Sequence, residues 1–353
     1  MASIKDVAAK AGVSISTVSN VINGNRYVSE ELTCKVQKAI KDLNYETDLI
    51  ARSMKNSRTM TIGVIITSLS RIFIPQVLNG IKECAEGKGY HLVIYATNDD
   101  FDVEKKYLQL LANTRVDGVI IDTVAEITDT NYYHQLSNLH KGNKRIPVVC
   151  IERNLSEYGI YSVYVNNVKG AYFATQHLLD VGCRRIVHIS GPKKLEMVVY
   201  RGKGYEHALE ERGIEVDERY VAEGDFSPIS GWRAVNRMIK AGIAFDGIFG
   251  DNDQMAIGAI KALNENRLVI PEKVKVIGFD NTFVSSIVKP SLSTVDIPKY
   301  QMGWEATDKL CRMIEDEEEC QRWRNSALEL ETKLIVREST KKDTKSQWEL
   351  EGW

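Results

Sequence analysis

Residues 12–25 read GVSISTVSNVINGN. Val18, Val21 and Ile22 recur at helical spacing, and the positions between them carry short hydroxyl and amide side chains. Ser14 stands where an N-cap belongs, and Asn23-Gly24 ends the pattern. Just upstream, Ile4, Val7, Ala8 and Ala11 repeat the same spacing, with Ser3 and Asp6 placed as a capping pair and Gly12 as the stop. Downstream, Ser29 opens a third segment that carries Leu32, Val36, Ile40 and Leu43. Two short helices joined by AGVS and followed by a packing helix spell a helix-turn-helix.

The remaining chain obeys another rule. From Thr61 onward, apolar runs without period-two alternation (TIGVIITS, HLVIYAT, VDGVIID, IPVVCIE) alternate with helical segments such as QVLNGIKECAEGKGY and EKKYLQLLANT. A second round follows, with strands RRIVHISG, YVAEG, DGIFGD and KVKVIGFD between helices GAYFATQHLLDVG, GKGYEHALEERG, GWRAVNRMIKAG and QMAIGAIKALNE. Such strands are buried on both faces, as in parallel sheets covered by helices. Two rounds predict two similar subdomains, and ligands of such sheets bind beyond the carboxyl ends of the strands.

Length and charge agree with this division. The 353 residues suffice for two or three domains, and the net charge is −2. Residues 1–58 hold nine Lys/Arg against six Asp/Glu, a balance of +3 that leaves −5 for the rest. Six cysteines without a Cys-x-x-Cys pair suit reduced, buried thiols. The N-terminus lacks a signal-peptide core, and no apolar run is long enough to cross a bilayer. The expectation is a cytoplasmic, nucleoid-associated protein. Its six histidines stand singly, with no His-Glu-x-x-His and no Gly-x-Ser-x-Gly, so neither an enzyme nor a metal site nor a cofactor is expected.

Motifs of this kind occur in order along the chain: IKDVAAKAGVSISTVSNVING, IARSMKNSRTMTIGVI, VDGVII, RGKGYEHAL, GDF, DNDQMAIGAIKAL, VIGFDN, PSLSTV and VREST. In this combination the sequence resembles the LacI/GalR family of bacterial transcriptional regulators from Ile4 to Thr340. The resemblance implies an all-α helix-turn-helix domain at 1–46, a hinge helix or linker at 47–60 and an α/β core at 61–340. That core has two Rossmann-like subdomains like those of periplasmic binding proteins. The first is expected at about 61–165 plus 293–323, the second at about 166–292 plus 324–340, and a disordered tail at 341–353.

The resemblance also implies roles. The protein is expected to be a homodimeric, sequence-specific repressor of a near-palindromic double-stranded operator, controlled by a small effector, a sugar or sugar acid. A phosphocarrier-protein corepressor of the catabolite-control kind and a sugar-binding transport protein stand as alternatives. DNA contacts are expected from Ser14, Ile15, Ser16, Thr17, Ser19, Asn20, Asn23 and Ser29, with Arg52 and Met54 in the hinge. Ile15 suits a thymine methyl, and the hydroxyls suit phosphate oxygens. Asn20 occupies a place where Arg is common in the family, and its amide matches adenine rather than guanine. Met54 replaces the usual minor-groove leucine, and Thr47 and Asp48 replace Pro and Asn. Effector contacts are expected from Phe73, Arg201, Phe226, Asn252 and Asp280, with Arg71 near the mouth. Asn166 stands where the family often has Asp.

Overall fold

A computed structural model of the chain describes residues 2–23, 26–45, 58–114, 116–142, 144–342 and 344. The chain divides into two units, Met1–Thr59 and Met60–Trp353. In the first, α1 (Ile4–Ala11), α2 (Ile15–Asn23) and α3 (Glu30–Asp42) enclose a small core of Val7, Ala8, Val18, Val36 and Ala39. The local signals work as expected. The Ser3 amide donates to Asp6 Oδ2 at 2.7 Å, and Gly12 ends α1 in the left-handed region at φ 66°. Ser14 Oγ accepts the Thr17 amide at 3.1 Å and so caps α2. The expected hinge helix, with Thr47, Asp48, Arg52 and Met54, lies outside the described residues, as does most of the expected tail.

The second unit runs β1 (Thr61–Ile66), α4 (Ile74–Gly87), β2 (His91–Ala96), α5 (Phe101–Asn113), β3 (Gly118–Ile121), α6 (Thr130–Ser137), a hairpin of β4 (His140–Lys141) and β5 (Lys144–Arg145), β6 (Val148–Ile151) and β7 (Tyr161–Val165). It continues with α7 (Asn167–Asp180), β8 (Ile186–Ser190), α8 (Glu196–Glu211), β9 (Val221–Glu223), α9 (Pro228–Lys240), β10 (Gly247–Gly250), α10 (Asp253–Glu265) and β11 (Lys275–Asp280). The last elements are α11 (Phe283–Ile287), β12 (Ser293–Asp296), α12 (Lys299–Glu315), α13 (Glu317–Trp323), β13 (Ala327–Leu330) and β14 (Lys333–Ile335).

Among the described residues, two six-stranded sheets form, ordered β2-β1-β3-β6-β7-β13 and β9-β8-β10-β11-β12-β14. The strands pair in parallel except β14, which runs antiparallel to β12. Each sheet therefore repeats the same doubly wound order, reversing direction between its first and third strands. That reversal is a topological switch point, where neighbouring connections leave on opposite faces and open a crevice.

The expected subdomain boundaries need correction at the C-terminal end. β12 belongs to the second sheet, with Ile277 opposite Ser293 and Asp280 opposite Asp296, so the second subdomain keeps the chain through residue 296 rather than 292. β13 lies in the first sheet, with Ala327 opposite Ser162, so the return to the second subdomain comes after Leu330 rather than at 324. The pairing partners lie far apart in sequence, and local periodicity carries no record of them.

Helices cover the sheets at glycine-mediated crossings. A β-carbon at Gly258 of α10 would collide with the Pro228 carbonyl and stand 3.0 Å from the Trp232 amide nitrogen, both of α9. Gly303 of α12 meets the Val77 carbonyl of α4 in the same way. Backbone cannot retract as a side chain can, so these positions admit hydrogen only. Gly258→Ala is expected to destabilise the core by about 1–3 kcal/mol or more. At Gly202 of α8 a methyl would meet nothing within 4 Å, and this position supplies the control. Gly202→Ala should stabilise by about 0.5–1 kcal/mol. Differential scanning calorimetry of the two variants checks both signs.

Candidate ligand cleft and nucleic-acid interface

The switch points define the site. In the first sheet, Asp122 directly follows β3, and its Oδ2 accepts from Thr67 Oγ1, just past β1, at 2.8 Å. In the second sheet, Asp251 directly follows β10, and its Oδ2 accepts the Gly191 amide, just past β8, at 2.8 Å. Asp251 Oδ1 lies 2.7 Å from His188 Nε2. Each crevice is thus braced by an aspartate on its third strand holding the residue beyond its first.

A polar cavity of about 420 Å³ opens between the two sets of strand ends, within the size range of small-molecule sites. Thr67, Arg71, Asp122, Thr123, Glu152 and Arg153 line it from the first subdomain. Asn166, Asn167, Leu195, Glu196, Met197 and Tyr200 line it from the second. Contacts join the two sides. Arg153 Nε pairs with Glu196 Oε2 at 2.7 Å, while Arg153 Nη1 donates to Tyr133 Oη at 2.6 Å and to the Ala125 carbonyl at 2.8 Å. Elsewhere Gln254 Oε1 accepts the Ile72 amide at 3.1 Å. Arg71 pairs with Asp99 at 2.7 Å and lays its guanidinium over the Phe226 ring at 4.6 Å.

The five expected effector residues are buried and stand outside this lining. Arg201, 2% exposed, donates from Nε to Asn167 Oδ1 at 2.8 Å and from Nη1 to the Asp251 carbonyl, lies 3.8 Å from Asp280, and covers the Phe279 ring. Asp280 ends β11 with φ 102°, and its carbonyl accepts Lys299 Nζ at 2.5 Å. Asn252 caps α10 by accepting the Met255 amide at 2.9 Å, and its Nδ2 donates to the Phe226 carbonyl at 3.1 Å. Phe226 packs against Gly191 and beneath Arg71. Phe73 is buried in the first subdomain at the start of α4. Arg201 reaches the lining through Asn167 and Phe226 through Arg71, with Asp280 joined to Arg201 and Asn252 to Phe226. Asn166 lines the cavity but spends its side-chain oxygen capping α7.

Sequence patterns alone did not single out Asp122, Glu152, Arg153 and Glu196. Asp122 and Glu152 close the runs VDGVIID and IPVVCIE, so the strand-end rule could have found them. Glu152 has the sharpest chemistry. It is 4% exposed, holds φ 68°, and its Oε1 has no hydrogen-bond partner among the described residues. Burial, then the charge of Asp122, pushes its carboxyl up to about 7, against the pull of Arg201, Arg71 and Lys299. Burial likewise raises Asp122, holds Asp280 well above the usual carboxylate range, and brings Asp253 to about 6.

In the N-terminal unit, Ile15 opens α2 with 45% of its surface exposed. Ser14 and Ser16 are exposed beside it, their hydroxyls 2.7 Å apart, and Thr17 and Asn20 are half-buried. Ser14 also meets Thr17 Oγ1 at 2.9 Å. Ser19 is half-buried, Ser29 is the exposed residue before α3, and Asn23 closes α2. Arg26 and Tyr27, both exposed in the connection to α3, carried no sequence signal that marked them.

A helix-turn-helix unit in one chain with a two-sheet, cleft-bearing core defines a class, the DNA-binding regulators with a small-molecule-binding core. Residues 3–48 match the model of bacterial regulatory proteins of the lacI family, and residues 59–332 match that of periplasmic binding proteins and the sugar-binding domain of the LacI family. The chain belongs to the LacI family. It is 33% identical over 341 residues to the HTH-type transcriptional repressor PurR of Histophilus somni strain 2336, covering 97% of this chain and 99% of the relative. It is 35% identical over 342 residues to the ribose operon repressor of Halalkalibacterium halodurans, covering 97% and 98%. Among solved structures it is similar to the lac repressor dimer bound to operator and the anti-inducer ONPF, with TM-score 0.85 and 27% identity over 96% of this chain and 99% of that one.

The raised Glu152 carboxyl makes a stability prediction. Its folded value of about 7 exceeds the ordinary 4.5, so between these values the folded state binds more protons than the unfolded one. Its contribution is therefore free of penalty below pH 4.5, grows destabilising as pH rises from 4.5 to 7, and levels off above 7. Glu152→Gln is expected to melt higher than wild type at pH 8, by about 2–4 °C per kcal/mol relieved. The gain should vanish toward pH 4.5, as read by thermal denaturation across pH.

Proposed function

We propose that this chain is a homodimeric transcriptional repressor whose core senses a small polar molecule in the cleft between its subdomains. The observation that carries the reading is the pair of braced switch points bordering one polar cavity, in a chain whose N-terminal unit is a helix-turn-helix. Its relatives named as repressors support repression, and the operator-bound lac repressor dimer supports a two-fold, near-palindromic site. Arg201, Phe226, Asn252 and Asp280 contact the effector, as the resemblance implies, and Thr67, Asp122, Glu152, Asn167 and Tyr200 line the cleft around it. Phe73 anchors the start of α4 beside it. Ligand that favours the closed arrangement changes operator affinity, and operator changes ligand affinity by the same factor.

On the DNA side, Ile15 covers a thymine methyl, Ser14, Ser16, Thr17, Ser19, Asn23 and Ser29 serve phosphates, and Asn20 reads a base edge. Arg52 and Met54 keep the hinge roles that the resemblance implies. Selection of binding sites from random DNA tests this reading. Wild type should yield a near-palindromic consensus, and Asn20→Arg should move one symmetric pair of positions toward guanine. Identical consensus sequences would remove Asn20 from base readout, and failure of wild type to enrich any sequence would overturn the assignment as a repressor. Ile15→Ser should weaken operator binding by roughly 5–150-fold, the 1–3 kcal/mol of a good base contact, as measured by fluorescence anisotropy.

A further inference from the structure

The chain returns from the second sheet to the first between β12 and α12, and a buried lysine stands at that crossing. Lys299, 5% exposed, is the first residue of α12, where a cation works against the helix dipole. Its ammonium donates to the Asp280 carbonyl at 2.5 Å, the Ile297 carbonyl at 3.1 Å and the Asn281 carbonyl at 3.2 Å, with Asp296 Oδ1 at 3.4 Å. Asp280 and Asn281 are themselves buried and hold positive φ in succession, 102° and 49°. Such conformations are strained in residues other than glycine, and here both residues turn their carbonyls to one ammonium. An apolar side chain in place of Lys299 would strip these buried carbonyls of that donor.

The two ends of this contact belong to different subdomains. α12 is fixed in the first, with Gly303 against the Val77 carbonyl of α4 and with Leu310 and Ile314 against Gly118 of β3. The 280–281 turn is fixed in the second. There the Thr282 amide donates to Asp253 Oδ2 at 2.6 Å, and Asn281 Oδ1 accepts Arg337 Nη2 at 2.8 Å. The Asp280 carboxyl, carried by the same turn, stands 3.8 Å from Arg201. We propose that Lys299 is a positioning residue that aims the Asp280 carboxylate and passes its movement to α12. The inference rests on the cleft being the effector site and on Asp280 as an effector contact. Any shift of one subdomain against the other must stretch these hydrogen bonds or draw the turn along with α12. An effector that pulls on Asp280 therefore biases the first subdomain, and operator biases the aim of Asp280 in return.

The test is hydrogen–deuterium exchange of the full chain, free and saturated with the operator obtained by selection from random DNA. In wild type, operator should change exchange at residues 279–283 and 300–306 together, by about fivefold or more. Lys299→Met keeps the length of the side chain and removes the ammonium. In that variant, exchange at 279–283 should rise about tenfold in the free protein and cease to respond to operator, while 300–306 still respond. Lys299→Arg, which keeps the charge, should respond at 279–283 more strongly than Lys299→Met. Thermal unfolding checks that the variants fold, and Lys299→Gln, neutral and shorter, carries the same expectation if Lys299→Met does not. A lysine that only stabilises the fold would lower the melting temperature of Lys299→Met and leave both responses to operator intact. That result overturns the inference while the sensor reading stands. A wild type in which both segments ignore bound operator counts against the sensor reading itself and removes the inference with it.

Discussion

The layer behind the cleft depends on the environment of Asp251, a fully buried residue at the end of β10. Its carboxylate holds His188 and the Gly191 amide, while its carbonyl accepts a hydrogen bond from the Arg201 guanidinium. A charge in that position is tolerable only when its lone pairs are filled. Filling them draws β8, β10 and α8 together at one point. Arg201, fixed there, reaches Asn167 at the start of α7 and lies near Asp280 at the end of β11. The second subdomain's strand ends are thereby locked into a single rigid wall.

The first subdomain meets this wall with a less fully satisfied set of groups. Asp122 and Glu152 stand at strand ends equivalent to those that carry the locked residues opposite, yet Glu152 keeps an orphan oxygen. Backbone strain marks the same places, since Glu152, Phe226 and Asp280 all hold positive φ directly after or near strands. Such conformations cost of order 1–3 kcal/mol each and persist where surrounding structure over-determines them. One wall of the cleft is thus satisfied by its own contacts, and the other keeps a polar atom that is not.

Several contacts join the walls, Arg71 over the Phe226 ring among them. Arg153 with Glu196, and Gln254 with the Ile72 amide, each join one subdomain to the other. The Gln254 contact is a single hydrogen bond of modest net strength, while the Arg153–Glu196 pair is largely buried. The glycine-bound helix crossings inside each subdomain, by contrast, place backbone against backbone with no room to slide. Motion is therefore easiest between the subdomains and hardest within them, which is the mechanical arrangement a cleft sensor needs.

The sequence by itself determined the helix-turn-helix, its caps at Ser3 and Ser14 and its stop at Gly12, because these depend on residues three or four apart. It also determined the alternation of buried strands and helices, and the strand ends where a ligand belongs. The resemblance placed Arg201, Phe226, Asn252 and Asp280 at that edge. Which polar groups there are committed and which orphaned follows from packing alone, because it depends on partners such as Asn167 and Asp251, distant in sequence from Arg201. The same reason governs β12 and β13, whose sheets were decided by register with Ile277 and Ser162. Glu152, last letter of an ordinary apolar run, acquires its chemistry only from what the folded chain fails to put beside it.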